Sequence, residues 1–427
     1  MMFSKFNTFF SYEDVIIGYN AYNNDFVILD PVLFEKFISG DNVNLEELKE
    51  IHFELYNCLV DKGFIVESGI DEIQKVKDLV KSLDSGNVEN YHIIVNPTMN
   101  CNFKCWYCYE THEKSKMNEV TIQNVKNLIT HLFNSGIKYF SLSFFGGEPM
   151  LYFNEVSFPI LEFSYNLAKE KDITFFSDFT TNGYLITEQI LEKCKANGVS
   201  SFQITLDGHR KRHNEVRFVS KSIGSYDKIL QNIKLSLQNK INVNVRLNIS
   251  KETLSENIEN IIDDFNSTDE EDRKYLTFSF HKVWQENVDL HRAIHDLISV
   301  FQEKGFNTLY NKNTDTVRES CYADKKNQAT INYNGDIFKC TARDFKTENR
   351  EGILLKNGSI EWNGKYDARM NAKFKNPPCL DCSILPICNG GCSQNALEKT
   401  GKPFCVHNFN KEKMLDVVRD KFLYAIS

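Results

Sequence analysis

The sequence predicts an α/β protein: a partial (β/α)6 TIM-like barrel between a small N-terminal winged α/β domain and a cysteine-rich C-terminal domain. Three observations carry this expectation. From Tyr91 onward, six strand-like runs alternate with six helical ones. Three of the twelve cysteines fall within eight residues, and four more within fourteen. Beyond about residue 311 the periodicity weakens, and turn residues and seven cysteines take over.

The first region, residues 1–88, has short apolar runs at Val15-Ile16-Ile17 and Phe26-Val27-Ile28-Leu29. Helical patterns follow over Val32–Ile38 and Leu45–Lys62. Gly63 stands where a C-cap belongs, Phe64-Ile65-Val66 resumes as a strand, and Ile70–Leu83 reads as a linking helix.

Residues 89–310 form the second region. Strands are expected at His92–Val95, Tyr139–Phe145, Ile173–Phe179, Ser201–Leu206, Val243–Ile249 and Tyr275–Phe280. Helices are expected at Val120–Phe133, Val156–Ala168, Thr187–Ala196, Tyr226–Leu237, Leu254–Phe265 and Leu290–Phe301. Such alternation implies parallel pairing with right-handed crossovers. Chemistry is then expected in the loops after the strands, and the distinctive motifs occupy four of them. Residues 311–427, the third region, carry Asn334-Gly335, Pro377-Pro378 and Asn389-Gly390-Gly391, then a last helix near Lys411–Tyr424. With so little apolar periodicity, metal clusters are the expected source of order.

The chain has 427 residues, 41% hydrophobic and 25% charged, with a formal charge of −8 and no long basic run, which gives no footprint for nucleic acid. No run approaches the roughly 18 apolar residues of a membrane span. Met1–Tyr22 meets Glu13 and Asp14 early and shows no cleavage site, so it reads as mature structure and the cytoplasm is expected. Clustered thiols in a reduced compartment favour metal over disulfides.

Cys101, Cys105 and Cys108 lie after the first barrel strand, in Cys-Asn-Phe-Lys-Cys-Trp-Tyr-Cys. Soft thiolates suit iron–sulfur clusters, and three of them leave one iron of four open to a small chelator. Phe145-Gly146-Gly147-Glu148-Pro149 follows the second strand, Thr181-Asn182-Gly183 the third, and Thr205-Leu206-Asp207-Gly208 with His213-Asn214 and Arg217 the fourth. This set resembles the radical S-adenosylmethionine (SAM) superfamily. The resemblance implies a 4Fe–4S cluster on Cys101, Cys105 and Cys108, with SAM contacts from Tyr107, Gly146, Gly147, Glu148, Thr205 and Arg217. It also implies reductive cleavage of SAM to a 5′-deoxyadenosyl radical that takes a substrate hydrogen. Arg246 and Asn248 alternate along the fifth strand and would face into the barrel, for SAM, for substrate or for a structural ion pair.

Cys321, Gly335, Cys340, Cys379, Cys382, Cys388, Cys392 and Cys405 follow the order of the seven-cysteine SPASM domain. That resemblance assigns Cys379, Cys382, Cys388 and Cys405 to a complete outer cluster, and Cys321, Cys340 and Cys392 to an inner one. Three 4Fe–4S clusters are implied in all. No cysteine lies between Cys194 and Cys321, so the inner cluster has an open iron or a ligand such as Glu319 or Asp324. Cys58 and Cys194 sit in helical patterns and read as packing residues.

SPASM enzymes act mostly on peptides and proteins, and the first region resembles the leader-recognition domains of peptide maturases, which bind by strand addition. The function expected is a maturase that oxidatively crosslinks residues, through a thioether or carbon–carbon bond, in a ribosomally made precursor. Its partners would be that precursor's leader and an electron donor such as flavodoxin or ferredoxin. The alternative is an anaerobic sulfatase-maturing enzyme forming formylglycine. In those enzymes an aspartate base directly follows the cysteine at the position of Cys340, where this chain has Thr341, with Asp344 three further on. A third possibility is a non-catalytic iron–sulfur sensor or zinc-stabilised module. No catalytic acid or base is assigned; His112, His209, His213 and His281 are candidates by position only.

Overall fold

The structure is a computed structural model that describes residues 1–39, 44–220, 223–255, 257–309, 319–399 and 401–426. It divides into two compact units. The larger comprises Asn87–Asn311 and Asn327–Tyr366; the smaller comprises Met1–Gly86, Lys312–Lys326 and Asp367–Ser427.

In the larger unit, β1 (Asn90–Val95), β2 (Tyr139–Phe144), β3 (Thr174–Thr181), β4 (Val199–Leu206), β5 (Asn242–Ile249) and β6 (Leu276–Lys282) lie side by side in chain order. Every neighbouring pair is parallel. This is the expected partial barrel. β7 (Asn307–Leu309) extends it beyond β6. Beyond β1 the sheet continues through β8 (Gln328–Ile331), which is parallel to β1, and antiparallel β9 (Asp336–Phe338), β10 (Gly352–Leu354) and β11 (Ile360–Trp362). Residues 327–366, expected in the C-terminal domain, therefore belong to the barrel sheet. β8 pairs the otherwise open edge of β1 and buries Ala329 and Ile331 completely in the barrel core. The boundary expected at residue 311 lies outside the described residues.

The crossovers run through helices Glu119–Asn134, Phe158–Glu170, Glu188–Ala196, Tyr226–Gln238 and, after β5, Asn260–Phe265. The Asn118 side chain caps the first by accepting from Thr121 N–H, and Thr187 caps the third through Ile190 N–H. The helix expected over Leu254–Phe265 is interrupted: Lys251–Ser255 and Asn260–Phe265 are separate, with Asn257 between them at φ 50°. Alternation along the strands separates two faces. Leu142, Phe144, Phe202, Ile204, Val245, Leu247 and Phe278 are fully buried in one apolar layer. Ser143, Asp178, Gln203, Asn244, Arg246 and His281 point the other way and are only half-buried. A filled barrel stacks bulky aliphatic residues inside; this lumen is polar and partly open.

The smaller unit contains a three-stranded antiparallel sheet of Asn7–Tyr12, Val15–Asn20 and Asp25–Leu29. Its first strand was not among those expected. The helix expected over Leu45–Lys62 is two helices, Leu45–Ile51 and Phe53–Asp61, because His52 leaves helical geometry at φ −133°, ψ 63°. On the C-terminal helix Lys411–Ile426, Phe422 packs edge-on against Phe10 and Tyr12 at centroid distances of 5.9 and 5.0 Å. Ile17, Tyr19, Val76, Val80, Leu385 and Val418 complete that core. The first and last segments of the chain, read separately from the sequence, thus share one hydrophobic core. No described helix is long and apolar enough to cross a membrane.

Candidate active site and cysteine clusters

The loops after β1 to β4 meet through a set of hydrogen bonds. After β2, Gly146 and Gly147 have φ 74° and 34°. A Cβ on Gly147 would lie 2.4 Å from the Asn100 carbonyl oxygen, beside Cys101, so only glycine lets the two loops approach this closely. Glu148 N–H donates to the same carbonyl at 2.9 Å.

The Glu148 side chain is completely buried. One carboxylate oxygen accepts from Thr181 Oγ1 at 2.6 Å and Met150 N–H at 2.9 Å, and the other from Asn182 N–H at 2.8 Å. Burial raises its pKa against these bonds. Glu148 therefore braces the loops after β2 and β3 against each other. The acidic group set against the Gly147 backbone is Glu110: its Oε2 accepts from Gly147 N–H at 2.9 Å, while Oε1 is buried without a partner. Burial pushes Glu110 up to about 7.

Tyr107 and Arg217 converge on Asp207. Tyr107 donates its hydroxyl to Asp207 Oδ2 at 2.6 Å, and Arg217 Nε donates to the same oxygen. Arg217 Nη2 also reaches Tyr107 Oη at 2.9 Å. Behind them His213 is fully buried; its Nδ1 accepts from Asp207 N–H, and Nε2 meets Ser225 Oγ at 3.0 Å. Burial, and then Arg217, hold His213 well below the usual histidine range, so it is neutral and props the turn. Thr205 is buried and lies in register beside Arg246. His209 instead contacts Asp264 at 3.2 Å.

Burial pushes the Cys101 thiol up to about 12 and Cys108 up to about 11, and raises Cys105. Unliganded, these sulfurs keep their protons, and bound metal is what displaces them. Cys108 Sγ, a Glu110 oxygen and a His112 nitrogen lie within 4.8 Å of one another. The three sulfurs are not drawn together that closely, whereas one tetrahedral zinc at about 2.3 Å per thiolate requires it. Three soft donors on one loop, spaced more widely, fit a cluster better than a single ion.

In the smaller unit, Cys379, Cys382, Cys388 and Cys405 line one cavity together with Ile384, Leu385, Phe404 and Met414. Asn376 Nδ2 donates to Cys379 Sγ at 2.9 Å, and His407 N–H to Cys405 Sγ at 3.3 Å. Burial drives Cys388 up to about 12. Cys321 and Cys392 belong to this unit and are exposed, whereas Cys340 belongs to the larger unit. Asp324 is already engaged: Lys373 Nζ reaches its Oδ2 at 2.9 Å. Cys194 is fully buried and Cys58 half-buried, each within a helix, as expected of packing residues.

Two features escaped the sequence reading. Glu110 follows the cysteines by two positions with nothing in its spacing to distinguish it. A row of lumen side chains, His92 to Ser143 at 2.8 Å and Ser143 to Asp178 at 2.6 Å, crosses β1, β2 and β3. Its only signal was polar residues at alternate positions in apolar strands.

Residues 95–265 match the model of the radical SAM superfamily. The chain carries a radical SAM domain. The radical SAM cyclopropyl synthase TigE of Paramaledivibacter caminithermalis is 23% identical over 404 residues, 86% of this chain and 80% of that protein. A cysteine-type anaerobic sulfatase-maturating enzyme of Clostridium novyi is 26% identical over 191 residues, 43% of this chain and half of that protein. Among solved structures, native anSMEcpe with bound AdoMet superposes with a TM-score of 0.60 at 17% identity, covering 78% of this chain and 96% of that one. Streptococcus suis SuiB bound to its precursor peptide SuiA gives 0.53 at 18%, covering 93% and 97%. The fold is that of a radical SAM partial barrel, and the radical SAM family uses a 4Fe–4S cluster and SAM. The loop of Cys101, Cys105 and Cys108 begins six residues after Val95, the last residue of β1 and the first of the match.

Proposed function

We propose that the protein is a radical SAM maturase that oxidatively crosslinks residues of a ribosomally made precursor peptide, forming a thioether or a carbon–carbon bond. The observation that carries this reading is the reach of the likeness to TigE. It spans 86% of the chain, well beyond the 95–265 barrel segment shared with radical SAM proteins at large. The sulfatase-maturing relative matches only 43%. Asp344, the aspartate nearest to the position that would hold a formylglycine base, accepts from Thr111 N–H and Oγ1 at 2.9 and 2.5 Å and so braces the cluster loop.

When bound and reduced, the cluster on Cys101, Cys105 and Cys108 supplies the electron that cleaves SAM to a 5′-deoxyadenosyl radical. The chain's own part is to bind and aim. Gly146 and Gly147 bring backbone against the cofactor, and Glu148 fixes that backbone to Thr181 and Asn182. Tyr107 from the loop after β1, Thr205 at the end of β4 and Arg217 after it supply polar groups toward the cofactor. The cavity of Cys379, Cys382, Cys388 and Cys405 would hold the outer auxiliary cluster. An electron donor of flavodoxin or ferredoxin type serves the clusters in the cytoplasm. Residues 1–88 take the precursor's leader by adding it to a sheet edge.

Anaerobic co-expression with a short precursor encoded beside the gene tests the reading by mass spectrometry. Loss of two hydrogens from the precursor, dependent on Cys105, is expected. Conversion of a sulfatase cysteine to formylglycine, with every neighbouring peptide unchanged, would overturn it.

A further inference from the structure

Within the lumen, the cation Arg246 has no carboxylate ion-pair partner among the described residues. Arg246 on β5 is half-buried, and its hydrogen-bond partner is neutral: Nε donates to Asn248 Oδ1 at 3.0 Å. Tyr109 and Tyr107 act on it more than Asp207 does, and the Asp207 carboxylate is taken by Arg217 and Tyr107. A structural ion pair, one of the roles open to Arg246 from sequence, is thus absent among the described residues.

The neighbours in register are polar and neutral. Arg246 lies beside Thr205 of β4 and Ser279 of β6, and Asn248 beside His281. Ser279 is 3% exposed, and its Oγ has no hydrogen-bond partner; Asn244 Oδ1, one inward position earlier on β5, also lacks one. Strand alternation turns these groups toward the lumen, since Val245, Leu247, Phe278 and Phe280 pack into the apolar layer behind. Burial, then Arg246, pushes His281 down to about 4, so its imidazole is neutral at physiological pH and adds no second cation.

A partly desolvated guanidinium without an anion is costly, and a buried hydroxyl without a partner adds to that cost. Both are relieved by a planar anion that takes two guanidinium N–H groups and the serine hydroxyl. We propose that Arg246, Asn248 and Ser279 form a carboxylate-binding subsite that holds an acidic group of the substrate, an Asp or Glu side chain or a C-terminal carboxylate, inside the barrel. The proposal rests on the reading of the substrate as a peptide and adds to it the residue class the lumen selects.

The test uses the reconstituted, SAM-loaded holoenzyme without reductant, with N-acetylglutamate as probe and N-acetylglutamine as its neutral counterpart in equilibrium dialysis. N-acetylglutamate should bind at least about tenfold more tightly than the amide, and Arg246→Gln should remove that preference while Arg246→Lys restores part of it. A second measurement needs no variant: phenylglyoxal labelling of Arg246, read by peptide mass, should be slowed by N-acetylglutamate and unaffected by N-acetylglutamine. Equal binding of the two probes with no protection would overturn the proposal. So would a loss of SAM affinity in Arg246→Gln without loss of the probe preference, which would assign the arginine to the cofactor's carboxylate. Because no turnover is involved, failure here leaves the radical chemistry standing, and absence of peptide oxidation leaves this subsite standing.

Discussion

The larger unit is ordered by a continuous apolar layer behind a sheet whose six strands β1 to β6 are parallel and follow one another in chain order. The smaller unit draws its core from segments about 400 positions apart, with Phe10 and Tyr12 against Phe422. Four of its cysteines line one cavity rather than stacking in a hydrophobic layer. The contrast suggests that the first unit folds on its side chains alone, whereas the second depends on long-range closure and on what its thiols bind.

The sharpest way to separate the two is to remove one thiol from each. Cys105→Ala should abolish 5′-deoxyadenosine formation while leaving the barrel folded by circular dichroism. Cys382→Ala should lower the iron content and the melting temperature of the smaller unit and retain SAM cleavage. Equal loss of SAM cleavage in both would break the comparison.

Phe422→Ala follows, at about 3–5 kcal/mol for a buried aromatic. Its loss should fall on the smaller unit, appearing as an early transition in a denaturant titration and as proteolysis near Phe10, with the barrel transition unmoved. Gly147→Ala should be smaller, about 1–3 kcal/mol, because the added Cβ meets the Asn100 carbonyl at positive φ. Its main readout is weakened SAM binding in calorimetry.

A pH titration probes the lumen. The folded-state pKa of His281 is depressed to about 4, below the unfolded histidine value near 6.5. The unfolded chain therefore binds more protons between those limits, and stability falls as pH drops from 6.5 toward 4. The melting temperature should decline over that window more steeply in the wild type than in His281→Asn, by the equivalent of about 1–2 kcal/mol after solvent screening. Parallel curves would refute the assignment. Thr111→Val, which removes one hydroxyl donor to Asp344, should cost only about 0.5–1.5 kcal/mol, visible as a small shift in melting temperature.

The barrel was legible because its information is local. Alternation in Phe-Ser-Leu-Ser-Phe and Val-Asn-Val-Arg-Leu-Asn sets which side chains pack and which face the lumen, and strand order follows from short crossovers. Where sequence reading failed, the deciding interaction was distant. Gln328–Ile331 is too short and too isolated to declare itself a strand until β1 offers its edge. Nothing near Phe10 announces Phe422. His52 breaks a helix whose periodicity runs straight through it. In the site, the four motif loops were readable as motifs, but the division of labour between Glu110 and Glu148 was not. Both are carboxylates beside glycines, and only the donors around each tell the brace from the group with an unpartnered oxygen.

The discontinuous smaller unit has a consequence for biogenesis. During synthesis, the strand Asn7–Tyr12 emerges early with Phe10 uncovered, and the helix that covers it is made after the whole barrel. Until then that aromatic face is a nascent-chain liability of the kind chaperones shield. The cysteines at 379–405 leave the ribosome only shortly before the helix that completes this core. Loading of the proposed outer cluster and closure of the unit would then be one late event, and iron starvation should leave the first strand exposed along with the empty cavity.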